Sequence, residues 1–294
     1  MDTLAYTVTQ DDLERIVALA DLEDTSDDEA SNLFPLDVDG THGAEALIRE
    51  LAEAALSGDG EAFARQVAMD WPLIIKLASS DDRIVEVVFL GYKLGISSGN
   101  SSCMNDLGAL YYRGELVEQD YAKAAELYEM AADRGCQQSI INLGYIYEYG
   151  RTGERDLEKA FHYYAFAAAL GSSSEATYKL GDMYSRGISG EPDLPKAKAL
   201  WDRSFELAHS ITERAQPAIR LARLLIDTQA TEAGIEFDPL QALNLYQQAE
   251  IGLRIDITEN GMTYYQKRLQ EAIEGQARAR ALLTNCEPEG MTIS

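Results

Sequence analysis

Residues 107–114 read Leu107-Gly108-Ala109-Leu110-Tyr111-Tyr112-Arg113-Gly114, and the same pattern returns at 143–150 and at 180–187. Each copy has the form Leu-Gly-x-aliphatic-Tyr-x-x-Gly, and successive copies begin 36 and 37 residues apart. A fixed period of this length is typical of repeat proteins, in which helix pairs stack because one pair cannot bury its own apolar face. A weaker fourth copy begins at Arg220, where Ala222 replaces the glycine and Leu225 replaces the tyrosine.

Each copy continues into a predicted second helix. An aspartate comes first, followed three residues later by Lys or Gln and then by Ala; the four aspartates are Asp120, Asp156, Asp193 and Asp238. A carboxylate at this place accepts an unpaired N–H and complements the helix dipole, so these aspartates are predicted N-caps. The glycines that follow the helices suit left-handed C-caps; they are Gly114, Gly150 and Gly187 after the first helices, and Gly135 and Gly171 after the second.

Three glycines fall inside predicted helices, namely Gly108, Gly144 and Gly181. A helical glycine costs about 1 kcal/mol relative to alanine. Its repeated use therefore predicts a packing role, which we expect to be close approach to the alanine-rich second helix.

Residues 100–207, with a degenerate copy to about residue 252, resemble the Sel-one-like repeat family, a relative of the tetratricopeptide repeats. The resemblance rests on the Leu-Gly-x-aliphatic-Tyr-x-x-Gly and Asp-x-x-Lys-Ala patterns, and it covers about half of the chain. It implies an all-α fold, a right-handed α-solenoid of helix-turn-helix repeats that holds protein partners, often in bacteria.

Non-repeat helices are predicted at both ends, where a solenoid needs atypical caps. We divide the chain into an acidic, partly disordered arm at 1–40, an N-terminal helical cap with a half repeat at 41–98, repeats at 99–256, and a capping helix with a tail at 257–294. Within the cap, Trp71-Pro72 is expected to begin a new helix. The capping helix is expected at 262–283, with a buried stripe made of Met262, Tyr265, Leu269, Ile273 and Leu283.

The chain of 294 residues carries a formal net charge of −25, and residues 1–60 hold 16 acidic side chains against 2 basic ones. An acidic protein is repelled by nucleic acid and by anionic membrane surfaces, so neither is expected as a partner. No apolar run approaches the roughly 20 residues of a membrane-spanning helix, and no signal peptide is apparent. We therefore expect a cytoplasmic protein.

The first helices of stacked hairpins usually line the concave face, so their non-core residues are the predicted partner-binding site. That set is Asn105, Tyr112, Arg113, Asn142, Tyr145, Glu148, Tyr149, Lys179, Asp182, Arg186, Arg220 and Arg223. The first half of the set offers Tyr and Asn, and the second half offers a basic strip suited to an acidic segment. The alternative is an ordinary solvated helix face.

Two alternatives concern the acidic arm. Thr9–Leu22 is a possible helix capped by Thr9, either as a transient helix in a mobile tail or as part of an arm that occupies the groove and competes with the partner. For the whole chain, a protein-interaction scaffold or adaptor stands beside an acidic inhibitor of the immunity type that neutralises a basic partner.

Nothing in the sequence nominates an enzyme. His42, His162 and His209 are far apart, and no phosphate-binding glycine loop is present. We expect no catalytic residue, no metal and no cofactor.

Overall fold

The computed structural model describes residues 6–22, 41–188 and 190–285. All regular structure in these ranges is helical, which confirms the all-α prediction. The helices form two compact units: the first unit comprises residues 1–146 and 151–154, and the second unit comprises residues 147–150 and 155–294.

The helices follow one another with short connections. In the first unit they are α1 Gln10–Ala20, α2 Thr41–Leu56, α3 Gly60–Leu77, α4 Asp82–Ser97, α5 Ser101–Arg113 and α6 Tyr121–Ala132. Helix α7, Gln137–Tyr149, begins in the first unit and ends in the second. The second unit continues with α8 Leu157–Ala169, α9 Ser174–Ser185, α10 Leu194–Leu207, α11 Ile211–Leu225, α12 Pro239–Thr258 and α13 Gln266–Asn285. Short 3-10 helices precede α12 and α13, at Thr228–Ala233 and Thr263–Tyr265.

The predicted aspartate caps are confirmed in all four copies, at α6, α8, α10 and α12. In the first copy, Asp120 Oδ1 accepts from the backbone N–H groups of Ala122 and Lys123 at 3.0 Å each. The N–H of Asp120 donates to the carbonyl of Tyr111 at 3.0 Å, and the corresponding bond recurs in the other copies. The aspartate therefore caps one helix while its backbone ties the turn to the preceding helix.

The repeated lysine and tyrosine form one contact. The ammonium of Lys123 lies 5.1 Å from the ring centre of Tyr111, and the same pairing brings Lys196 within 4.0 Å of Tyr184. This is a cation–π contact between the two helices of a repeat. The degenerate fourth copy has Leu225 and Gln241 at these positions, so it loses both partners together.

Two of the helical glycines, Gly108 and Gly181, pack against an aromatic ring of the second helix. A Cβ on Gly108 would lie 2.9 Å from the Tyr128 ring, and a Cβ on Gly181 would lie 2.6 Å from the Trp201 indole nitrogen. The predicted close approach to the alanine-rich second helix is therefore confirmed at these two glycines. The ring of the second helix fills the space, and Gly181 also approaches a backbone atom of that helix, the Ala197 carbonyl oxygen at 3.2 Å.

Helix α1 packs in the first unit. The Thr9 hydroxyl and the Asp12 carboxylate form a capping box, and Ile16 is fully buried. Lys93 on α4 donates to Asp12 at 2.6 Å. The expectation of a transient helix in a mobile tail is thus wrong for residues 10–20, because an apolar face and an ion pair hold this segment; residues 23–40 lie outside the described ranges.

Two expectations about the terminal helices are corrected. Pro72 lies inside α3 and does not begin a new helix, because the buried side chains of Val67 and Ile74 hold both halves of α3 against the same core. Of the predicted stripe, Tyr265 and Leu269 are partly buried against the core of the second unit, but Ile273 is 37% exposed. The stripe that is buried consists of small or polar residues, Ala272, Gly275, Gln276 and Ala279. The reason is that Gly275 receives the Tyr246 ring, as Gly181 receives Trp201. The four-part division of the chain stays a prediction.

The glycine–ring packing predicts the effect of Gly181→Ala. Alanine favours a helix by about 1 kcal/mol over glycine, but overpacking a well-filled site costs about 1 to 3 kcal/mol, so we expect a net loss in the free energy of unfolding measured in urea. Gly43→Ala on α2 is the matched control, because nothing lies within 4 Å of the added carbon. A Gly181→Ala protein as stable as the Gly43→Ala protein would contradict the packing role.

Candidate partner-binding surface

Five of the predicted binding residues belong to the first unit, where α5 and α7 place two asparagines together. Asn105 Oδ1 accepts from the Ser139 hydroxyl at 2.9 Å and from Asn142 Nδ2 at 3.2 Å. Both asparagines are half-buried. The amides of successive first helices therefore form a hydrogen-bonded ladder.

An aromatic group lies beside this ladder. Tyr112 meets Tyr121 edge to face at 5.3 Å between ring centres, and the guanidinium of Arg151 lies over both rings at 5.8 and 5.2 Å. Arg113 is exposed and pairs with Glu115 at 2.6 Å. Tyr145 is half-buried.

The remaining predicted residues belong to the second unit, where Glu148 is 5% exposed. Its Oε2 accepts from the Tyr164 hydroxyl at 2.9 Å and from Lys179 Nζ at 3.0 Å. Its Oε1 accepts from Arg186 Nη1 at 2.9 Å. One buried carboxylate thus joins the end of α7 to α8 and α9.

A second network joins α9, α10 and α11. Arg220 donates to both carboxylate oxygens of Asp182, at 2.5 and 2.6 Å. The Trp201 indole N–H donates to Asp182 at 3.1 Å. The Arg220 guanidinium also lies 4.5 Å from the Tyr178 ring centre and donates to the Gln216 carbonyl at 2.8 Å. Asp182 therefore ties Arg220 to the indole that fills the Gly181 site.

The structure corrects the expected orientation of three residues. Glu148, Lys179 and Arg220 were expected to face a groove, but they are 5%, 6% and 7% exposed. Burial of these charges is tolerated because each has an opposite charge and, beside it, further hydrogen bonds or contacts with aromatic rings. Arg223 is exposed and pairs with Glu271. Most basic residues of the predicted strip are thus paired with carboxylates of the same chain. Tyr149, in contrast, is 49% exposed and is accessible as predicted.

The carboxyl group of Glu148 is held in its charged form. Burial acts to raise its pKa, but the ammonium of Lys179 and hydrogen bonds from Lys179, Arg186 and Tyr164 outweigh burial, and the net pKa lies below the ordinary value. The network therefore stabilises the fold through a carboxylate, not a neutral acid.

A cleft in the first unit was not anticipated from the sequence. It encloses about 950 Å³ and is lined by side chains of α1, α4, α5, α6 and the loop between α5 and α6. Its apolar lining consists of Val85, Phe89, Leu90, Tyr111, Leu116 and Val117. The available signal was Leu116-Val117, two apolar residues in a connection where polar residues are usual.

Residues 6–22, 41–188 and 190–285 contain neither a candidate metal site nor a candidate membrane-spanning helix. No group of three or more His, Cys, Asp or Glu side chains in those ranges could hold a metal ion. No helix there has the length and apolar character needed to cross a bilayer.

The family comparison accounts for the helix pairs. The Sel1 repeat model matches residues 101–136, 137–172, 174–209 and 230–250. The chain carries Sel1 repeats. The first three matches correspond to α5–α6, α7–α8 and α9–α10. Sel1-repeat proteins generally act as scaffolds for protein–protein interactions and are typically non-enzymatic.

A solved structure supports the same fold. A protective antigen present in uropathogenic Escherichia coli strains, which displays an SLR fold, matches with a TM-score of 0.52 and 23% identity over 84% of this chain and 53% of the antigen. This chain therefore spans about half the length of the antigen. A Sel1 repeat protein from Oxalobacter formigenes matches with a TM-score of 0.49 and 20% identity over 76% of this chain and 90% of that protein. No curated protein matches the chain. The likeness to the antigen places this Sel1-repeat chain in the α-solenoid class.

The buried pair predicts a large cost for Lys179→Met. Removing one partner of a buried ion pair leaves an uncompensated charge and costs about 3 to 5 kcal/mol in the free energy of unfolding. Adding Glu148→Gln should recover part of this loss, because the amide oxygen can still accept from Tyr164. The control is Lys198→Met, which breaks a half-exposed pair with Asp202 and should cost about 1 kcal/mol or less. Equal losses for Lys179→Met and Lys198→Met would refute the assigned role.

The lowered pKa of Glu148 predicts a pH dependence. Its stabilisation is present above the ordinary pKa of 4.5 and is lost as the pH falls through the lower pKa of the folded state. Urea unfolding at successive pH values should therefore show a shallower acid loss of stability for Glu148→Gln than for the wild type. Parallel curves would show that Glu148 does not link folding to pH.

Proposed function

We propose that this Sel1-repeat protein is an interaction scaffold that binds a segment of a partner protein on the first helices of its repeats, chiefly through the first unit. The proposal refines the general scaffold role of Sel1 repeats by naming a surface. Of the predicted residues, Asn105, Tyr112, Asn142 and Tyr145 are the ones that it places at the centre.

One observation carries this choice. In the first unit the half-buried Asn105 and Asn142 share a neutral hydrogen bond, and Tyr112 packs against Tyr121 and Arg151. In the second unit, by contrast, Glu148 and Arg220 are engaged in buried ion pairs. An asparagine amide has two donors and an acceptor with two lone pairs, so Asn142 can serve both the ladder and a peptide backbone. Tyrosine supplies the aromatic anchor that concentrates binding energy in interfaces.

The earlier hypothesis of an acidic partner segment loses its support. It depended on a basic strip, and Lys179, Arg186 and Arg220 in that strip each contact a carboxylate at 3.0 Å or less. Charge reversal at Arg220 would therefore destabilise the fold, and a loss of binding in that variant would not identify a binding residue. A neutral or weakly charged segment fits the Asn and Tyr side chains better.

An acidic inhibitor remains the second candidate because of the net charge of −25. Such an inhibitor should associate with a basic partner at a rate that falls steeply with salt. The scaffold should instead keep most of its affinity in salt and lose it on truncation of the surface residues. The cytoplasmic location stays a prediction.

The surface assignment predicts the behaviour of Tyr112→Ala with Asn142→Ala. Affinity capture on the full chain, followed by quantitative mass spectrometry, should recover a partner from an extract of the source organism. The double variant should recover it about tenfold less, because truncating a central aromatic anchor commonly costs that much or more. Phe166→Ala is the control, an aromatic residue that is 59% exposed on the second helix α8. Recovery that falls with Phe166→Ala but not with the double variant would exclude the assigned surface.

A further inference from the structure

We propose that the cleft of the first unit binds a segment of a partner protein in which a large apolar side chain lies next to lysine or arginine. This inference names the chemistry of a partner and rests on the proposed scaffold function. It concerns a surface formed by α1, α4, α5, α6 and the loop between α5 and α6, whose lining includes neither Asn105 nor Asn142.

The cleft has the size and the lining of a binding site. Its volume of about 950 Å³ lies within the roughly 300 to 1,000 Å³ of small-molecule pockets, so it can accept one or two large side chains. Phe89 and Tyr111 meet edge to face at 6.0 Å between ring centres on one wall. Leu116 and Val117 are half-buried against the core of the same unit. The apolar part of an incoming segment would lie against these four side chains.

Leu116 is held in an unusual conformation. Its φ of 61° is in the left-handed region, and among the described residues it is the non-glycine residue with positive φ. That region is disfavoured for a bulky side chain, and glycine or asparagine would fit it with less strain. The loop thus keeps an apolar side chain at the cleft where the backbone favours another residue.

The charges at the cleft determine which residues are favoured beside the large apolar side chain of the partner segment, its anchor. The lining includes four carboxylates, those of Asp82, Glu86, Glu118 and Asp120, against two cations, Arg15 and Lys123. Arg15 pairs with Glu86, and Lys123 lies 3.6 Å from Asp120.

The other two carboxylates of the cleft, those of Asp82 and Glu118, are not paired with any cation of the described residues. Within the described ranges, neither Asp82 nor Glu118 has an ion pair or a side-chain hydrogen bond, and both are exposed. Their charge, added to the acidic field of the whole chain, favours a lysine or arginine beside the anchor. The same field disfavours an acidic segment and a second copy of this chain.

The test uses the full chain and a phage-displayed library of random twelve-residue peptides. Selected peptides are synthesised, and their Kd values are measured by fluorescence polarisation against the wild type and three variants. Leu116→Asn removes the apolar side chain while suiting the backbone at φ 61°, so it should fold. Asp82→Asn with Glu118→Gln removes the two unpaired charges. Glu50→Gln with Glu53→Gln makes the same charge change on α2, outside the cleft lining, as the matched control.

The proposal expects peptides with Phe, Trp or Leu next to Lys or Arg. Their Kd should rise about tenfold with Leu116→Asn, because a large apolar contact is lost. It should rise about fivefold with the Asp82/Glu118 variant, which loses two exposed charge pairs, and stay unchanged with the Glu50/Glu53 control.

Selected peptides that are acidic, that bind both cleft variants as well as the wild type, or that respond equally to the control variant would overturn the proposal. Peptides that lose affinity with Tyr112→Ala but not with the cleft variants would leave the scaffold function standing and remove the cleft from it. Dimerisation of the wild type that Leu116→Asn abolishes in sedimentation would assign the cleft to a second copy instead.

Discussion

The packing of an aromatic ring against a helical glycine is the constraint on which the first and third repeats depend. Tyr128 occupies the space beside Gly108, and Trp201 occupies the space beside Gly181. Because a side chain on either glycine would overlap the ring, the two helices of these pairs can lie as close as they do only with glycine at that position. The same device closes the second unit, where Tyr246 packs against Gly275 of α13. The aspartate cap and the lysine–tyrosine contact then fix the turn between two helices already brought together.

The buried ion pairs of the second unit are connected to this glycine–ring packing. The indole that fills the Gly181 site also donates to Asp182, and Asp182 holds Arg220 of the next first helix. Glu148 does the same for Lys179 and Arg186. Residues that a helical wheel assigns to a solvent-facing side of the first helices therefore form contacts between successive first helices instead. These networks leave the half-buried Asn and Tyr side chains of the first unit as the better candidates for binding.

The period, the aspartate caps and the glycine ends could be predicted from the sequence because each depends on residues close in the chain. The ring partners of Gly108 and Gly181 and the burial of Glu148 could not, because periodicity gives the face of a helix but not the distance to its neighbour. A usable signal existed in the spacing. Glu148 to Arg186 and Asp182 to Arg220 are each 38 residues apart, close to one repeat, so opposite charges at that spacing mark adjacent first helices. The cleft depends on the packing of helix α1 against α4. The short acidic sequence of α1 does not reveal this packing partner.

A double-mutant cycle between Gly108 and Tyr128 tests the central claim most directly. Urea unfolding would be measured for the wild type, Gly108→Ala, Tyr128→Leu and the combined variant. If the ring sets the approach of the helices, the cost of Gly108→Ala should largely disappear once Tyr128 is leucine, giving a coupling free energy of about 1 kcal/mol or more. Additive losses, with the same cost of Gly108→Ala in both backgrounds, would contradict the account.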